Sequence, residues 1–281
     1  MGTVITKTEL QEKIIRQPKG WIGVDWKELA RYKDLLWFLT IRSIKAKYAQ
    51  SILGVGWAVI QPLFSTLVYT VVFGNLARID SNGVPYFLFS LVGLVAWTFF
   101  SNTLSDSASS LITNANLITK VYFPRLVLPL SSVFSKGVDF LISFILLVVF
   151  LVIYKLKPAP ELILLPWLIL ILLLTSLGTG LFLSALAVQF RDIKYALTFG
   201  IQLLMYAAPV VYPTTNVPVA YQTLYALNPM VGVIEGFRAI FLGTMPFPYH
   251  WVLMGTTVAV LIFGIGIFFF KRMERTFADV A

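Results

Sequence analysis

Residues able to carry out covalent chemistry are few and scattered in this chain of 281 residues. It has no cysteine and a single histidine, His250, at the end of an apolar stretch. Disulfides and thiolate metal sites are therefore excluded, and no paired carboxylates or Ser/His arrangement has a spacing that suits catalysis. The G-x-x-x-x-G-K-[ST] phosphate loop is also absent, so the chain does not bind ATP in that manner. We predict no catalytic residue, no metal and no cofactor on this chain.

Glu235 and Arg238 are the charged residues with the most informative placement. They stand three positions apart in an apolar, proline-broken region, 213–250, and an i, i+3 spacing lets them pair on a helix. Charges at membrane depth are costly and usually functional; a surface pair at the membrane interface is the alternative. Asn228 suits a helix cap and Pro229 the first helical position. We predict two re-entrant helices, 217–226 and 229–242, and an extracytoplasmic gate formed by Asn228, Pro229, Glu235 and Arg238.

The composition that surrounds these residues is that of an integral membrane protein. The chain is 58% hydrophobic and 12% charged, whereas soluble domains carry about 25% charged residues. Its first 30 residues are polar and lack the apolar core of a cleavable signal, so we expect the mature chain to begin near Met1. A membrane helix needs about 20 apolar residues. We predict an all-α protein with six spans at about 57–78, 86–106, 134–154, 162–187, 195–212 and 251–270.

The basic residues predict the orientation of these spans. With the N-terminus inside, 18 of the 22 lysines and arginines fall on the cytoplasmic side. The four on the other side are Arg78, Lys155, Lys157 and Arg238. Because basic residues are retained inside, both termini are predicted to be cytoplasmic. The net charge of +9 is then explained by topology, and nucleic acid is excluded as a partner.

A basic amphipathic helix is predicted before the first span, within residues 29–53. Apolar residues recur there at spacings of three and four, and Arg42, Lys45 and Lys47 fall off that stripe. Such a helix suits the membrane surface, with its cations near anionic headgroups; a cytoplasmic cap on the bundle is the alternative. Its expected interface residues are Trp37, Arg42, Lys45 and Tyr48. Gly54 and Gly56 would allow the turn into the first span.

Five sequence blocks together carry a resemblance to a known family. They lie at 41–63 (IRSIKAKYAQSILGVGWAVIQPL), 116–130 (NLITKVYFPRLVLPL), 191–197 (RDIKYAL), 227–243 (LNPMVGVIEGFRAIFLG) and 269–280 (FFKRMERTFADV). In this order and at these spans, the chain resembles the membrane subunit of ABC-2 type polysaccharide exporters from about Leu29 onward. One departure is visible. Relatives often have Arg-Asp-Ile-Lys before the first span, whereas this chain has Ser43 in place of the acid.

The resemblance implies a homodimer around a channel in the bacterial cytoplasmic membrane, with two copies of a separate ABC ATPase on the cytoplasmic side. ATP and Mg would bind on that partner, and the substrate would be a lipid-linked polysaccharide. The apolar, proline-broken connection 114–130 then has a role as the segment that docks the ATPase or closes the channel mouth. There, Asn114 or Asn116 would cap a short helix, Leu117, Ile118 and Val121 would anchor it, and Pro124 would end it. The predicted coupling residues are Asn116, Leu117, Ile118, Lys120, Val121, Phe123, Pro124, Arg125, Arg191 and Asp192.

Two features stay open at the level of sequence. The loop of Arg191 and Asp192 is either a second ATPase contact or an ordinary basic loop. Aromatic pairs with helical spacing would give a sugar chain a smooth path, although packing or lipid contact is the better single explanation for them. The channel-lining candidates are Tyr69, Phe73, Trp97 and Phe100.

The predicted organisation has three parts: a cytoplasmic segment with the interface helix (1–55), the six-span domain (56–271) and a cytoplasmic tail (272–281). O-antigen is the leading substrate, because the long N-terminal approach resembles such permeases; capsule and teichoic acid chains are alternatives. A membrane-embedded glycan-modifying enzyme is a different class, but it would need ionisable residues within the spans. A secondary transporter would show internal repeats and mid-membrane charges, and we find no clear repeat.

Overall fold

The computed structural model describes residues 25–49, 51–190, 192–243, 245–274 and Phe277. This part of the chain is helical and contains no β-strand, as the composition predicted. Its α-helices are α1 (Trp26–Arg31), α2 (Lys33–Tyr48), α3 (Trp57–Tyr69), α4 (Tyr86–Thr113), α5 (Ala115–Lys120), α6 (Val127–Ile153), α7 (Leu165–Gln189), α8 (Ile193–Tyr206), α9 (Val219–Tyr225), α10 (Pro229–Leu242) and α11 (Tyr249–Met273). Short 3₁₀ turns precede α3 at Gly54–Gly56 and α7 at Pro160–Leu164, a third lies at Thr214–Asn216, and a wider π-helical stretch, Thr70–Leu76, extends α3.

Five helical stretches in the described residues are long and apolar enough to cross a membrane. They are Gly54–Leu76, Tyr86–Thr113, Val127–Ile153, Pro160–Gln189 and Tyr249–Met273. The remaining predicted span, 195–212, corresponds to α8, which has 14 residues and ends at Tyr206. At 1.5 Å per residue such a helix is about 21 Å long, short of a hydrocarbon core of about 30 Å. Pro209 follows α8 closely, and the residue before a proline disfavours helical geometry.

Helix α4 lies at the centre of the bundle. Most of its residues are buried, and it packs against α3, α6, α7, α8 and α10. Helix α10, buried along its whole length, packs in turn on α4, α7 and α11. Within the residues that the structure describes, the interior is therefore a packed core of apolar side chains and not a pore.

A second buried cluster lies at the end of the bundle that carries α5, called here the α5 end. It contains Leu39, Leu111, Ile118, Phe123, Leu126, Val127, Leu128, Leu181, Ala185, Phe270 and Phe277. These residues come from α2, α4, α5, α6, α7 and α11 and from the connections near them. The connection between α4 and α6 is thereby fixed to the rest of the protein by burial of apolar area.

Gly54 and Gly266 each meet a geometric need that other residues do not. Gly54 adopts a φ of 51°, in the left-handed region that glycine enters without steric cost, and turns the chain into α3 as predicted. Gly266 of α11 faces Gly178 of α7 so closely that an added Cβ would lie 2.2 Å from the Gly178 carbonyl oxygen. Small residues allow helix backbones to approach in this way in membrane proteins.

Replacing Gly266 with alanine is expected to separate α7 from α11. Because the obstructing atom belongs to the backbone, the helices must move, and overpacking of this kind costs about 1–3 kcal/mol. The apparent melting temperature in detergent, followed by tryptophan fluorescence, should fall by about 5 °C. Gly264→Ala is the matched control, since a Cβ at Gly264 meets nothing within 4 Å. Equal stability of the two variants would contradict the close approach.

Candidate coupling and gating sites

The α4–α6 connection forms a short helix whose start differs in detail from the prediction. Asn114 occupies the N-cap position of α5, but its side chain accepts no capping hydrogen bond. Its Nδ2 instead donates to the Ser110 carbonyl at 2.9 Å, and its own carbonyl accepts from the amides of Leu117 and Ile118 at 2.9 and 3.1 Å. Asn116 lies inside α5. The prediction of a side-chain cap by either asparagine is wrong, because the Asn114 side chain satisfies the end of α4 instead.

The apolar residues of α5 do not all face outward. Ile118 is 8% exposed and belongs to the buried cluster at the α5 end, and Leu117 is half-buried against that cluster. Val121 is 53% exposed, and Lys120 and Asn116 are also exposed. Ile118 is therefore not available to a partner, which corrects the prediction that it is an anchor. Val121, with Lys120 at its rim, is the accessible part of the predicted surface.

The helix ends earlier than Pro124 requires. Val121 is extended, with φ −136° and ψ 134°, so α5 stops at Lys120 and not at the residue before the proline. Phe123 and Pro124 are both buried, and the extended backbone carries the Phe123 side chain into the cluster. Burial of this aromatic side chain, and not the proline alone, sets the end of the helix.

Arg125 is engaged within the chain. Its backbone amide donates to Glu274 Oε1 at 3.1 Å, and its guanidinium donates to the Glu274 carbonyl oxygen. The guanidinium also lies over the ring of Phe277, 5.8 Å from its centroid. The prediction that Arg125 belongs to the coupling segment remains untested, but its contacts are with the C-terminal region.

Helix α2 forms where the interface helix was predicted and is joined to α6 by charge. Lys47 Nζ lies 2.6 Å from Asp139 Oδ2, and the Tyr48 hydroxyl donates to the other oxygen of Asp139. Burial, together with the Asp139 carboxylate, raises the pKa of Tyr48, so the hydroxyl stays protonated and keeps donating. These contacts fix the C-terminal end of α2 against the bundle.

The face by which α2 packs differs from the predicted stripe. Leu39 and Thr40 are its buried residues, whereas Trp37 is 68% exposed and Arg42 and Lys45 are exposed. The side on which Trp37 stands is free of the bundle, and this leaves room for a membrane surface along it. The second predicted loop contact lies partly outside the described residues, because it includes Arg191. Its neighbour Asp192 is exposed, and its side chain makes no capping bond to α8.

At the opposite end of the bundle, called here the α10 end, the predicted start of α10 is confirmed. Asn228 Oδ1 accepts from the Met230 amide at 3.1 Å, and Pro229 is the first residue of the helix. The Asn228 Nδ2 also donates to the Ala207 carbonyl at 3.0 Å. Asn228 thus caps α10 and at the same time holds the chain that leaves α8.

Glu235 and Arg238 pair, as predicted, inside the protein. Arg238 Nη1 lies 3.1 Å from Glu235 Oε1, and the side chains are 0% and 1% exposed. The same carboxylate oxygen accepts from the Thr214 amide at 3.1 Å and from its hydroxyl at 2.7 Å. The alternative of a surface pair is excluded, because water does not reach either group.

Arg238 also satisfies backbone carbonyls from two other segments. Its Nη2 donates to the Val210 carbonyl at 2.8 Å and, more weakly, to the Phe89 carbonyl at 3.5 Å. The guanidinium carbon is 3.5 Å from the centroid of the Phe89 ring, a close cation–π contact. Room for this arrangement comes from Gly93, where a Cβ would lie 3.0 Å from Nη2 and 2.9 Å from the Val210 carbonyl. One cation therefore joins α10, α4 and the irregular segment after α8.

Sequence reasoning missed several members of this cluster. Thr214, Val210, Phe89 and Gly93 contact the charged pair from positions up to 149 residues away. No local pattern signals these contacts, because each depends on how α4 and α10 pack. Only Thr214 carries a weak local signal, because the polar pair Thr214–Thr215 follows Pro213 in an otherwise apolar region.

The aromatic candidates divide into two groups. Trp97 and Phe100 are each 5% exposed, with ring centroids 5.4 Å apart, so the chain itself encloses them and they do not line a channel. Their core packing corrects that prediction. Tyr69 and Phe73 are half-buried, with centroids 5.7 Å apart, and the Tyr69 hydroxyl lies 3.4 Å from Met205 Sδ of α8. These two remain accessible candidates on the α3 side of α8.

Comparison with known proteins gives consistent matches over nearly the whole fold. The family described as ABC-2 type transporter matches residues 34–242. The O-antigen export system permease protein RfbA of Klebsiella pneumoniae is 30% identical over 250 residues, which cover 88% of this chain and 95% of the relative. The protein of the same name from Myxococcus xanthus is 35% identical, covering 76% and 83% of the two chains. The polysialic acid transport protein KpsM of Escherichia coli is 22% identical over 70% of this chain and 77% of its own length.

Proposed function

Because this chain belongs to the ABC-2 type transporter family, we propose that it exports a lipid-linked polysaccharide across the bacterial inner membrane, with O-antigen as the first candidate. It is a multi-pass permease subunit of an ABC exporter and not an enzyme by itself. The observation that carries the substrate proposal is similarity to O-antigen export permeases over 88% of the chain and 95% of the relative. The identities rank the candidates, since the O-antigen permeases are 30% and 35% identical to this chain and the polysialic acid transport protein KpsM is 22% identical.

The energy for export comes from an ABC ATPase, the partner with which permeases of this family work. We propose that two copies of it serve one transporter and that ATP and Mg bind only on those copies. The absence of a phosphate loop from this sequence supports that division, since backbone amides of such a loop cradle the phosphates. Work must then pass between proteins through a contact surface, and the exposed part of α5 with Val121 suits that role.

A homodimer is proposed because the described part of the single chain contains no path for a polymer. Its centre is filled by α4 and α10, so a channel needs a second copy. Helix α8 supports this arrangement, since it has no buried residue and exposes Tyr195, Phe199, Leu203, Leu204 and Tyr206. Exposed Gln202 on the same helix would find hydrogen-bond partners in a second subunit more readily than in lipid. We propose that Tyr69, which contacts Met205 of α8, and its neighbour Phe73 line the path between copies.

Six spans and two cytoplasmic termini are the topology we propose. Helix α8 supplies the sixth crossing together with the irregular segment that follows it, which survives at membrane depth because protein buries it. Helices α9 and α10 then re-enter the outer leaflet as a pair. The distribution of basic residues, 18 against 4, supports the α5 end as cytoplasmic and the α10 end as extracytoplasmic.

In this account the sites described above have distinct roles. Helix α2 lies at the cytoplasmic membrane surface, with Arg42 and Lys45 near anionic headgroups, and is tied to the third span through Asp139. Helix α5 and the residues that follow it to Arg125, called here the α5 segment, receive motion from the ATPase. Helix α10, capped by Asn228, holds the extracytoplasmic end closed around the Glu235–Arg238 pair. No residue of this chain makes or breaks a covalent bond in the proposed cycle.

Capsule export is the second candidate, and one observation favours it. The polysialic acid transport protein KpsM matches over 70% of this chain. The identity of 22% is lower than that to the O-antigen permeases, so we rank it second.

Deleting the gene in its native host tests the substrate. We expect the lipid-linked glycan to accumulate on the cytoplasmic face and to vanish from the cell surface, with recovery when the wild-type chain is supplied in trans. Loss of lipopolysaccharide side chains on gels supports O-antigen, and loss of a capsule stain with intact side chains supports the second candidate. Unchanged surface glycans of both kinds would contradict the proposed function.

A further inference from the structure

Glu274, directly after α11, makes hydrogen bonds that join the end of this helix to the α4–α6 connection. One carboxylate oxygen accepts from the Arg125 amide at 3.1 Å, and the other lies 2.7 Å from Lys271 Nζ. The Glu274 carbonyl oxygen accepts from the Arg125 guanidinium. The acid is thus a bridge between the last turn of α11 and the residue that follows Pro124.

Phe277 continues this attachment on the apolar side. It is 0% exposed, meets Phe270 of α11 edge-on at 5.3 Å, and lies below the Arg125 guanidinium. Both phenylalanines belong to the buried cluster that also contains Ile118 and Phe123. Polar contacts of Glu274 and apolar packing of Phe277 therefore hold the same short stretch, residues 123–125, against the end of α11.

The stretch 123–125 closely follows exposed Val121, the residue proposed to contact the ATPase. Val121 stands two residues before buried Phe123 and four before Arg125. On its other side, α11 packs along α7, with the Gly178–Gly266 approach as the tightest point. A displacement applied at Val121 thus has a short, packed route into two membrane helices. Without the contacts to Glu274 and Phe277, the connection after Lys120 would absorb the displacement as loop motion.

We propose that Glu274 and Phe277 form a clamp that positions the α5 segment and passes ATPase-driven motion to α11. These are positioning residues, since neither is exposed at the docking surface. The proposal rests on the proposed function, in which the ATPase docks on the α5 segment. The clamp transmits motion after docking, so its loss lowers coupling and leaves docking affinity in place.

The test uses the complete complex of permease and ATPase in lipid nanodiscs and proteoliposomes. We expect Glu274→Ala and Phe277→Ala to lower substrate-stimulated ATP turnover and glycan moved per ATP by at least fivefold, with the dissociation constant of the ATPase unchanged within twofold. Glu274→Gln keeps an oxygen for the Arg125 amide, and Phe277→Leu keeps apolar volume, so both should recover at least half of the coupling. Arg272→Ala, at an exposed neighbour, is the matched control and should behave as wild type.

The outcomes separate the two proposals. Coupling within twofold of wild type in both alanine variants would overturn the clamp, while the proposed function would stand. A dissociation constant that rises in step with lost coupling would also overturn it, because the residues would then serve docking. If the alanine variants do not assemble, Glu274→Gln and Phe277→Leu decide, since coupling below one fifth of wild type in both would contradict the predicted recovery. A wild-type complex that moves no glycan would refute the proposed function itself.

Discussion

Replacing Arg238 with alanine is expected to lower the stability of the protein strongly, because it removes the cation of a buried ion pair at the α10 end. The substitution leaves the Glu235 carboxylate buried with Thr214 as its remaining donor, and it leaves the Val210 carbonyl without the 2.8 Å donor it has now. Breaking a buried ion pair by removing one partner costs about 3–5 kcal/mol. The apparent melting temperature in detergent should therefore fall by about 10 °C or more.

Matched variants separate charge from volume in this prediction. Lys157→Ala removes an exposed cation and should change stability by less than about 0.5 kcal/mol. The double variant Glu235→Leu with Arg238→Met removes both charges and keeps apolar volume, so it should recover much of the loss, because a buried pair can be replaced by apolar residues at little cost. An Arg238→Ala protein as stable as the Lys157→Ala control would contradict the ionic cluster.

Replacing Val121 with aspartate is expected to abolish substrate-stimulated ATP turnover while the permease still folds. Val121 is 53% exposed and extended, so a carboxylate there stays hydrated in the free permease. In a docked complex the same carboxylate would be buried in an apolar groove, and losing a central anchor costs about 2–4 kcal/mol. The ATPase should then dissociate about 30- to 1,000-fold more readily.

The control keeps the shape of the side chain. Val121→Thr has nearly the same volume and should weaken docking far less than the aspartate, as measured by the dissociation constant of the ATPase on nanodisc-held permease. Leu117→Asp, the obvious choice from sequence, is less informative, because Leu117 packs against the protein's own buried cluster. Wild-type docking and turnover in Val121→Asp would place the ATPase contact elsewhere.

Sequence predicted best those features that lipid or local chemistry imposes. The bilayer demands long apolar helices, and five of the six predicted spans have them. The cap by Asn228, the proline that begins α10 and the Glu235–Arg238 pair depend on residues within a few positions of each other, and all were found. The 14-residue length of α8 was not found, because apolar character continues past its end at Tyr206.

Features that depend on packing between distant segments were predicted poorly. In a helix of six residues, α5, spacing alone does not say which side faces inward, so Ile118 was assigned to a partner that it does not reach. Trp97 and Phe100 have the spacing of a shared face, yet that face is turned into the core. The hydrogen bond between Arg125 and Glu274 joins positions 149 apart, and the sequence around each residue does not indicate the other as its partner.

Transport by the reconstituted complex tests the central claim most directly. Proteoliposomes would hold this chain and its ATPase in known orientation, with the lipid-linked glycan on the ATPase side and an impermeant glycosidase inside. We expect digestion of the glycan that requires ATP, both proteins and an intact catalytic site on the ATPase. Two results would contradict the account. One is ATP hydrolysis without any digestion of the glycan inside the vesicles, and the other is equal digestion when this chain is left out.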